Sequence, residues 1–455
     1  MAPSIDLSIF KDYDVRGVYP SQINGDVAKA IAYAIVRHFH PKTIVIGRDM
    51  RVSGEEIRDG FAKTFAAVGI DVFDMGLVGT EMMSFVAGAY PYDLVLMLTA
   101  SHNPPEYNGI KMTRKGAIPV SIDSGFREIR DLISEGPLPD APTPGKITDI
   151  DVYPDWKKKI LSIVDVSTIK PFSVVADAGN GMAGKLLPYL FSSTKVQVTP
   201  LFFELDGTFP NHVPNPLIEK NNEFLIKKIL EIHGDVGLAF DGDADRMYLV
   251  DDKGRFVSGT VTTALLAKYF LQQHPGEMVL YNAICGRIVP ETIKKYGGKS
   301  QRVRVGYSYI KAAMKETNAI FCGEHSGHYF HRDYFNSESG VMSALMILNL
   351  ISKENKKLSE LVDELNIYPA SGEINFVVQD IPTILSAIKT GYPDAESLDE
   401  LDGISVWYPT YWFNFRASKT EPLLRLNVEA NNAEILAAKT NELVAKMEAL
   451  GGKRK

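Results

Sequence analysis

The apolar positions of the chain fall into short runs set between stretches of helical spacing. Leu94-Val-Leu-Met-Leu98 is unbroken by any polar residue, too short for a typical helix, and reads as a fully buried strand. One pattern recurs three times. Thr43-Ile-Val-Ile-Gly47 reads as a strand, followed by a loop, a helix through Phe65 and a second strand, Gly69-Ile-Asp-Val-Phe73. Phe172-Ser-Val-Val-Ala-Asp177 leads through Ala178-Gly-Asn-Gly181 into a helix ending near Leu190 and then Lys195-Val-Gln-Val198. Met278-Val-Leu-Tyr-Asn282 leads into a helix through Tyr296, then Gly297-Gly298 and Gln301-Arg-Val-Arg-Val305. Strand, helix, strand is the βαβ signature of mixed or parallel sheets, so three related α/β domains are expected.

Composition shifts mark their borders. The Pro-rich stretch from Glu135 to Gly145 reads as a connector. A second change lies near Asp251-Asp252-Lys253-Gly254, before a helix starting around Thr260, and a third near Tyr368-Pro-Ala-Ser-Gly372. The expected domains are therefore 1–150, 151–252, 253–368 and 369–455. The last reads as α+β: a strand, a helix, three strand candidates and a closing helix. That helix starts at Asn431-Asn-Ala-Glu434, an Asn-x-x-Glu cap, and carries an apolar stripe of Leu436, Leu443, Val444 and Met447.

Composition narrows the function. The 455 residues carry a formal charge of −7, which argues against a nucleic-acid footprint, so an anionic ligand must be held by local positive charge. No run of about 18 apolar residues predicts a membrane span. Met1-Ala-Pro-Ser-Ile-Asp6 lacks the basic and apolar regions of a signal peptide, and Cys285 and Cys322 are the only cysteines. A reducing cytoplasm is the expected location.

Candidate chemistry lies at strand ends. Thr99-Ala-Ser-His-Asn-Pro104 follows the buried run and puts Ser101 where α/β sheets place their chemistry. Asp241-Gly-Asp-Ala-Asp245-Arg246 follows the strand candidate Val236-Gly-Leu-Ala-Phe240. Three carboxylates at alternate positions can converge on a hard cation. An EF-hand loop wants Gly sixth and Glu twelfth, where this chain has Arg246 and Asp252, so a Mg²⁺ that keeps open positions for phosphate fits better. In Gly323-Glu-His-Ser-Gly-His328, glycines permit close approach while Glu324 and Ser326 offer hydrogen bonds to sugar hydroxyls. Zinc on His325, His328 and His331 lacks a matching Cys/His set. Arg416-Ala-Ser-Lys-Thr-Glu-Pro422 offers a guanidinium, hydroxyls and loop amides to a phosphate. Asp12-Tyr-Asp-Val-Arg16-Gly17 and Asn108-Gly-Ile-Lys111 each could add a cation.

Five of these motifs, those starting at Tyr13, Thr99, Asp241, Gly323 and Arg416, follow one another in this order across nearly the whole chain, and together they resemble the α-D-phosphohexomutase superfamily, in its phosphomannomutase/phosphoglucomutase branch. The resemblance implies three related α/β domains with mixed sheets and a C-terminal α+β domain around a central cleft. It implies interconversion of hexose 1-phosphate and hexose 6-phosphate, mannose or glucose, through a phosphoserine and a hexose 1,6-bisphosphate. By motif, Ser101 resembles the phosphoserine; Asp241, Asp243 and Asp245 resemble Mg²⁺ ligands, with a phosphoserine oxygen completing the site. Glu324 and Ser326 resemble sugar contacts. Arg416, Ser418 and Thr420 resemble the grip on the non-transferred phosphate. Arg16, Lys111, Arg246 and His328 match positions at the reacting phosphate and in proton transfer, with Lys111 or His328 as base. The implied activator is glucose 1,6-bisphosphate or mannose 1,6-bisphosphate, and the implied partner a phosphosugar, with the chain a monomer or homodimer. Lys419 stands where Asn is common, Tyr307 where His is common, Gly79 where Pro or Ser is commoner, and His325 where several relatives have Met. Lys419 and Tyr307 are counted among the substrate-binding residues. Other readings are a phosphoglucosamine mutase, a metal-dependent phosphatase, and a Ca²⁺- or carbohydrate-binding protein.

Overall fold

A strand with no polar position needs cover on both faces of its sheet. Leu94–Leu98 has that cover at every residue in the computed structural model of the chain, which describes residues 5–418 and 423–455. It lies within a sheet ordered Val15–Val18, Tyr107–Arg114, Leu94–Leu98, Thr43–Arg48, Asp71–Leu77, Ile147–Asp149, with Ile118–Pro119 paired to Tyr107–Arg114. Leu94–Leu98, Thr43–Arg48, Asp71–Leu77 and Ile147–Asp149 run parallel. Their carboxyl ends therefore share one edge, and the loops after Arg48, Leu77 and Leu98 all open there. Tyr107–Arg114 turns back antiparallel on Leu94–Leu98, so the serine loop is a hairpin connection.

The same arrangement recurs twice. In the second sheet, Val236–Phe240 runs parallel to Ser173–Asp177 and turns back into Met247–Asp251, with Gln197–Leu201 and Phe256–Val257 at the edges. Register pairs Phe240 with Met247, so the acidic triplet occupies the hairpin loop. In the third, Phe321–Gly323 runs parallel to Met278–Asn282 and turns back into Tyr329–His331, with Lys299–Val303 and Ser337–Glu338 outermost. Gly323 pairs with Tyr329, which makes Glu324-His-Ser-Gly-His328 the equivalent loop. The fourth sheet is antiparallel, ordered Ser397–Asp399, Ile404–Trp407, Tyr411–Ala417, Leu423–Ala430, Ala370–Val377, Lys453–Arg454.

One apolar core crosses the first three sheets, joining Val45, Val95 and Met97 to Trp156, Leu186 and Leu238 and to Val279, Phe321 and Leu345. The fourth has a core of its own, on which Leu443 and Met447 of the closing helix Ala433–Ala449 are buried, with Leu436 and Val444 packed at its margin. Polar contacts tie it to the third: Arg287 donates to the carbonyl of Tyr411 at 3.1 Å, and Arg302 to Asp399 at 2.6 Å.

Two local expectations are corrected, and one strand is added. The strand expected at 301–305 spans Lys299–Val303, because that register matches Met278–Asn282 residue for residue, while Val305 N–H is drawn to Asp402 instead. The closing helix is capped by Asn432, whose side chain accepts from Ile435 N–H at 2.9 Å; Asn431 N–H is committed to the carbonyl of Thr410. The charged tail pairs Lys453–Arg454 with Phe376–Val377 as an extra edge strand. Among the described residues, no helix is long and apolar enough to cross a membrane.

Candidate active site

Ser101 is 3% exposed and sits in the left-handed region at φ +49°, an unfavourable place for a residue with a Cβ. Its surroundings hold it there. Its N–H donates to Thr99 Oγ1 at 2.8 Å. The buried guanidinium of Arg51 donates to four carbonyls of the loop, those of Ser101, Asn103, Pro104 and Tyr107, at 2.7 to 2.9 Å. The Ser101 hydroxyl donates to Asp241 Oδ2 at 2.7 Å, so the serine loop and the acidic loop meet directly. Gly242 allows this approach, since a Cβ there would stand 2.6 Å from the Ser101 carbonyl oxygen.

Asp241, Asp243 and Asp245 are buried, and one oxygen from each lies within 4.8 Å of the others. Burial, with Asp245 and Asp243 alongside, pushes the Asp241 carboxyl well above the usual range. Among the described residues, Asp243 Oδ1 and Asp245 Oδ1 are buried and accept no hydrogen bond, and His328 Nε2 stands 3.4 Å from Asp245 Oδ1. Buried carboxylate oxygens without donors are costly, and a hard divalent cation is the partner that satisfies them. The triplet therefore fits a metal ion.

Cations from two strands of the first sheet and from the two other hairpin loops surround it. Lys111 Nζ contacts Asp243 at 2.9 Å and Asp245 at 2.7 Å, and against the pull of burial these carboxylates raise its pKa. Arg246 Nε stands 3.5 Å from Asp241 Oδ2 and 3.2 Å from His328 Nε2. Backbone bridges Arg246 to His328, while Met247 N–H donates to the carbonyl of Gly327. Gly327 needs to be glycine twice over: its φ is +84°, and a Cβ would meet the Tyr248 ring at 2.6 Å. His328 Nδ1 lies 3.2 Å from Glu324 and 3.1 Å from the Ser326 hydroxyl. Burial and Arg246 oppose its charge, but Asp245 and Glu324 push its pKa up to about 9. Glu324 also accepts from Asn282 at 3.2 Å. Arg16 donates to Asn103 of the serine loop at 2.7 Å and pairs with Asp14.

Ser101, Lys111, Arg16, Arg246, His328, Glu324, Ser326 and the Asp triplet thus form one connected polar cluster. Arg416 lies in the strand Tyr411–Ala417 of the fourth sheet, and Ser418 directly follows that strand. Arg416 is buried, with Glu373 at 3.7 Å, and burial lowers its pKa while Glu324 lies within electrostatic reach. Tyr307 turns its hydroxyl away from the cluster, donating to the carbonyls of Tyr13 at 2.8 Å and Val120 at 3.1 Å. Lys419 and Thr420 lie outside the described residues. Sequence reasoning missed Arg51, Asp49 and Thr80. For Asp49 and Arg51 a signal was present, since Asp49-Met-Arg51 directly follows the strand Thr43–Arg48, where charge at a buried carboxyl edge asks for a reason; Thr80 carried none.

Residues 7–138, 154–254 and 258–368 match, respectively, alpha/beta/alpha domains I, II and III of phosphoglucomutase/phosphomannomutase. A phosphomannomutase of Methanocaldococcus jannaschii is 37% identical, covering 98% of this chain and 99% of that one. One from Salmonella montevideo is 34% identical, covering 96% and 98%. A crystal structure of a phosphoglucomutase/phosphomannomutase family protein from Burkholderia thailandensis superposes with a TM-score of 0.89 at 29% identity, covering 98% of each chain. The chain belongs to the phosphoglucomutase/phosphomannomutase family and is an isomerase of the phosphomutase type.

Proposed function

We propose that the protein moves a phosphoryl group between the 1- and 6-oxygens of mannose or glucose phosphate, through a phosphoserine at Ser101 and a hexose 1,6-bisphosphate. The observation that carries this is the Ser101 hydroxyl at 2.7 Å from a carboxylate of a cation-ready triplet. A free serine hydroxyl is a weak nucleophile, so Ser101 is best used already phosphorylated. The bond from Ser101 Oγ to phosphorus breaks as the sugar hydroxyl oxygen bonds to phosphorus. The hydroxyl gives up its proton, and Ser101 Oγ takes one back and can then donate to Asp241. Lys111 and His328 are the groups placed to hold or move that proton, and with Arg16 and Arg246 they bring positive charge to the phosphoryl oxygens. A Mg²⁺ on Asp241, Asp243 and Asp245 would neutralise phosphoryl charge and relax the hold of those carboxylates on Lys111 and His328. Glu324 and Ser326 orient the sugar, while Tyr307, with its hydroxyl held by the carbonyls of Tyr13 and Val120, bears on the substrate only by tying the first unit to the third. Arg416 and Ser418, with Lys419 and Thr420, grip the other phosphate. The bisphosphate must then turn over so that its second phosphate returns to Ser101. Glucose 1,6-bisphosphate or mannose 1,6-bisphosphate would recharge a bare Ser101 by the same step.

The protein works through four units, 1–150, 151–252, 253–368 and 369–455, in the cytoplasm, as a monomer or homodimer. The phosphoglucosamine mutase, phosphatase and Ca²⁺- or carbohydrate-binding readings are not favoured, because the full-length relatives include phosphomannomutases and the serine and metal motifs meet in one site. The test is turnover of mannose, glucose and glucosamine 1-phosphates with Mg²⁺ and a trace of glucose 1,6-bisphosphate, in wild type and Ser101→Ala. Conversion of mannose and glucose phosphates, abolished by Ser101→Ala, is expected. Phosphate release without 6-phosphate product, or an active Ser101→Ala, would overturn it.

A further inference from the structure

Thr80 is the first residue of the helix Thr80–Ala89, which opens at the same sheet edge as the serine loop. It is fully buried and makes two contacts to one residue of the acidic loop: its N–H donates to the Asp243 carbonyl at 3.0 Å, and its hydroxyl to Asp243 Oδ2 at 2.6 Å. Thr99 donates to the same Oδ2 at 3.3 Å and Lys111 at 2.9 Å. Oδ2 thus takes three donors, all from the first sheet's unit, while Oδ1 is buried and, among the described residues, has none. Gly79 makes the approach possible. A Cβ there would stand 2.7 Å from Leu186 Cδ1 and 3.2 Å from the Asp243 carbonyl oxygen.

We propose that Thr80 is a positioning residue for the metal site. By occupying Oδ2 from across the interface, it leaves Oδ1 of Asp243 as the ligating oxygen and makes cation affinity depend on docking of the first unit against the second. Partners that orient a metal ligand change affinity by about 10- to 100-fold when removed. This rests on reading Asp241, Asp243 and Asp245 as the metal site, and the test separates the two ideas. Full-length protein is titrated with Mg²⁺ alone by calorimetry as wild type, Asp243→Asn, Thr80→Val and Thr80→Ser, with urea unfolding in EDTA alongside. Thr80→Val is expected to weaken Mg²⁺ binding by about 10- to 100-fold, and Thr80→Ser, which keeps the hydroxyl, to stay near wild type. If Thr80→Val does not fold, Thr80→Ala carries the same expectation. Mg²⁺ binding lost in Asp243→Asn but unchanged in Thr80→Val, whatever its urea midpoint, would overturn the role of Thr80 alone. Absence of wild-type binding, or binding that survives Asp243→Asn, would overturn the metal reading and this inference with it.

Discussion

Replacing Arg51 by Lys keeps the charge beside Asp49 but removes the planar fork. The guanidinium serves four backbone carbonyls, those of Ser101, Asn103, Pro104 and Tyr107, at 2.7 to 2.9 Å, and its Nε lies 3.3 Å from Asp49. An ammonium on a shorter stem, tetrahedral where the fork is flat, can reach about two of those carbonyls. Two buried acceptors are then left without donors, at about 1–3 kcal/mol each, or about 2–6 kcal/mol in all. The loss falls on a loop that already holds Ser101 at φ +49°, so the loop relaxes before the rest of the fold does. Urea unfolding can be followed through Trp156, in the shared core, and separately through Trp407 and Trp412 of the fourth sheet. Arg51→Lys is expected to move the Trp156 transition to lower urea, leave the other in place, and cut turnover at saturating substrate by at least about tenfold. A variant with wild-type turnover and an unmoved Trp156 transition would show that the fork does not template the serine loop.

Two further outcomes follow from buried charge. Glu81 joins three elements, accepting from Trp156 at 2.8 Å and from the Ser339 hydroxyl at 2.7 Å, and burial pushes its pKa up to about 8 from an ordinary 4.5. The folded state then binds the proton more tightly than the unfolded one. The stability this adds is complete below about pH 4.5 and is lost as pH rises to about 8, on the order of 5 kcal/mol. Melting curves at pH 5, 6.5 and 8 should show Glu81→Gln gaining on wild type as pH rises; parallel profiles would contradict that sign. Arg416→Ala removes a buried guanidinium from the loop assigned to the distal phosphate, and should raise KM for sugar phosphates by about 10- to 100-fold with a smaller change in kcat. Steady-state kinetics showing a kcat loss at constant KM would move Arg416 out of phosphate binding.

Much of this protein was legible from local pattern. Leu94–Leu98 could be placed as a buried strand because an unbroken run of five apolar residues is too short for a typical helix, and Asp241, Asp243 and Asp245 could be matched to a hard cation because carboxylates at alternate positions of one loop can converge on it. Both signals lie within a few residues of chain, where spacing alone constrains chemistry. Strand register was less legible: the shift to Lys299–Val303 and the added strand Lys453–Arg454 depend on which backbone lies alongside. The parts of the site that hold other parts in place were decided by tertiary structure. Arg51 reads locally as a charge at the end of a strand with no partner named, Thr80 as an ordinary helix start, and Glu81 as a first-turn acid facing water. Each acquires its role from residues far away in sequence: Arg51 from a loop about fifty residues on, Thr80 from Asp243, Glu81 from Trp156 and Ser339. Packing excludes water around these groups, and an unmet polar atom is then costly enough that partners so distant along the chain must be brought to it.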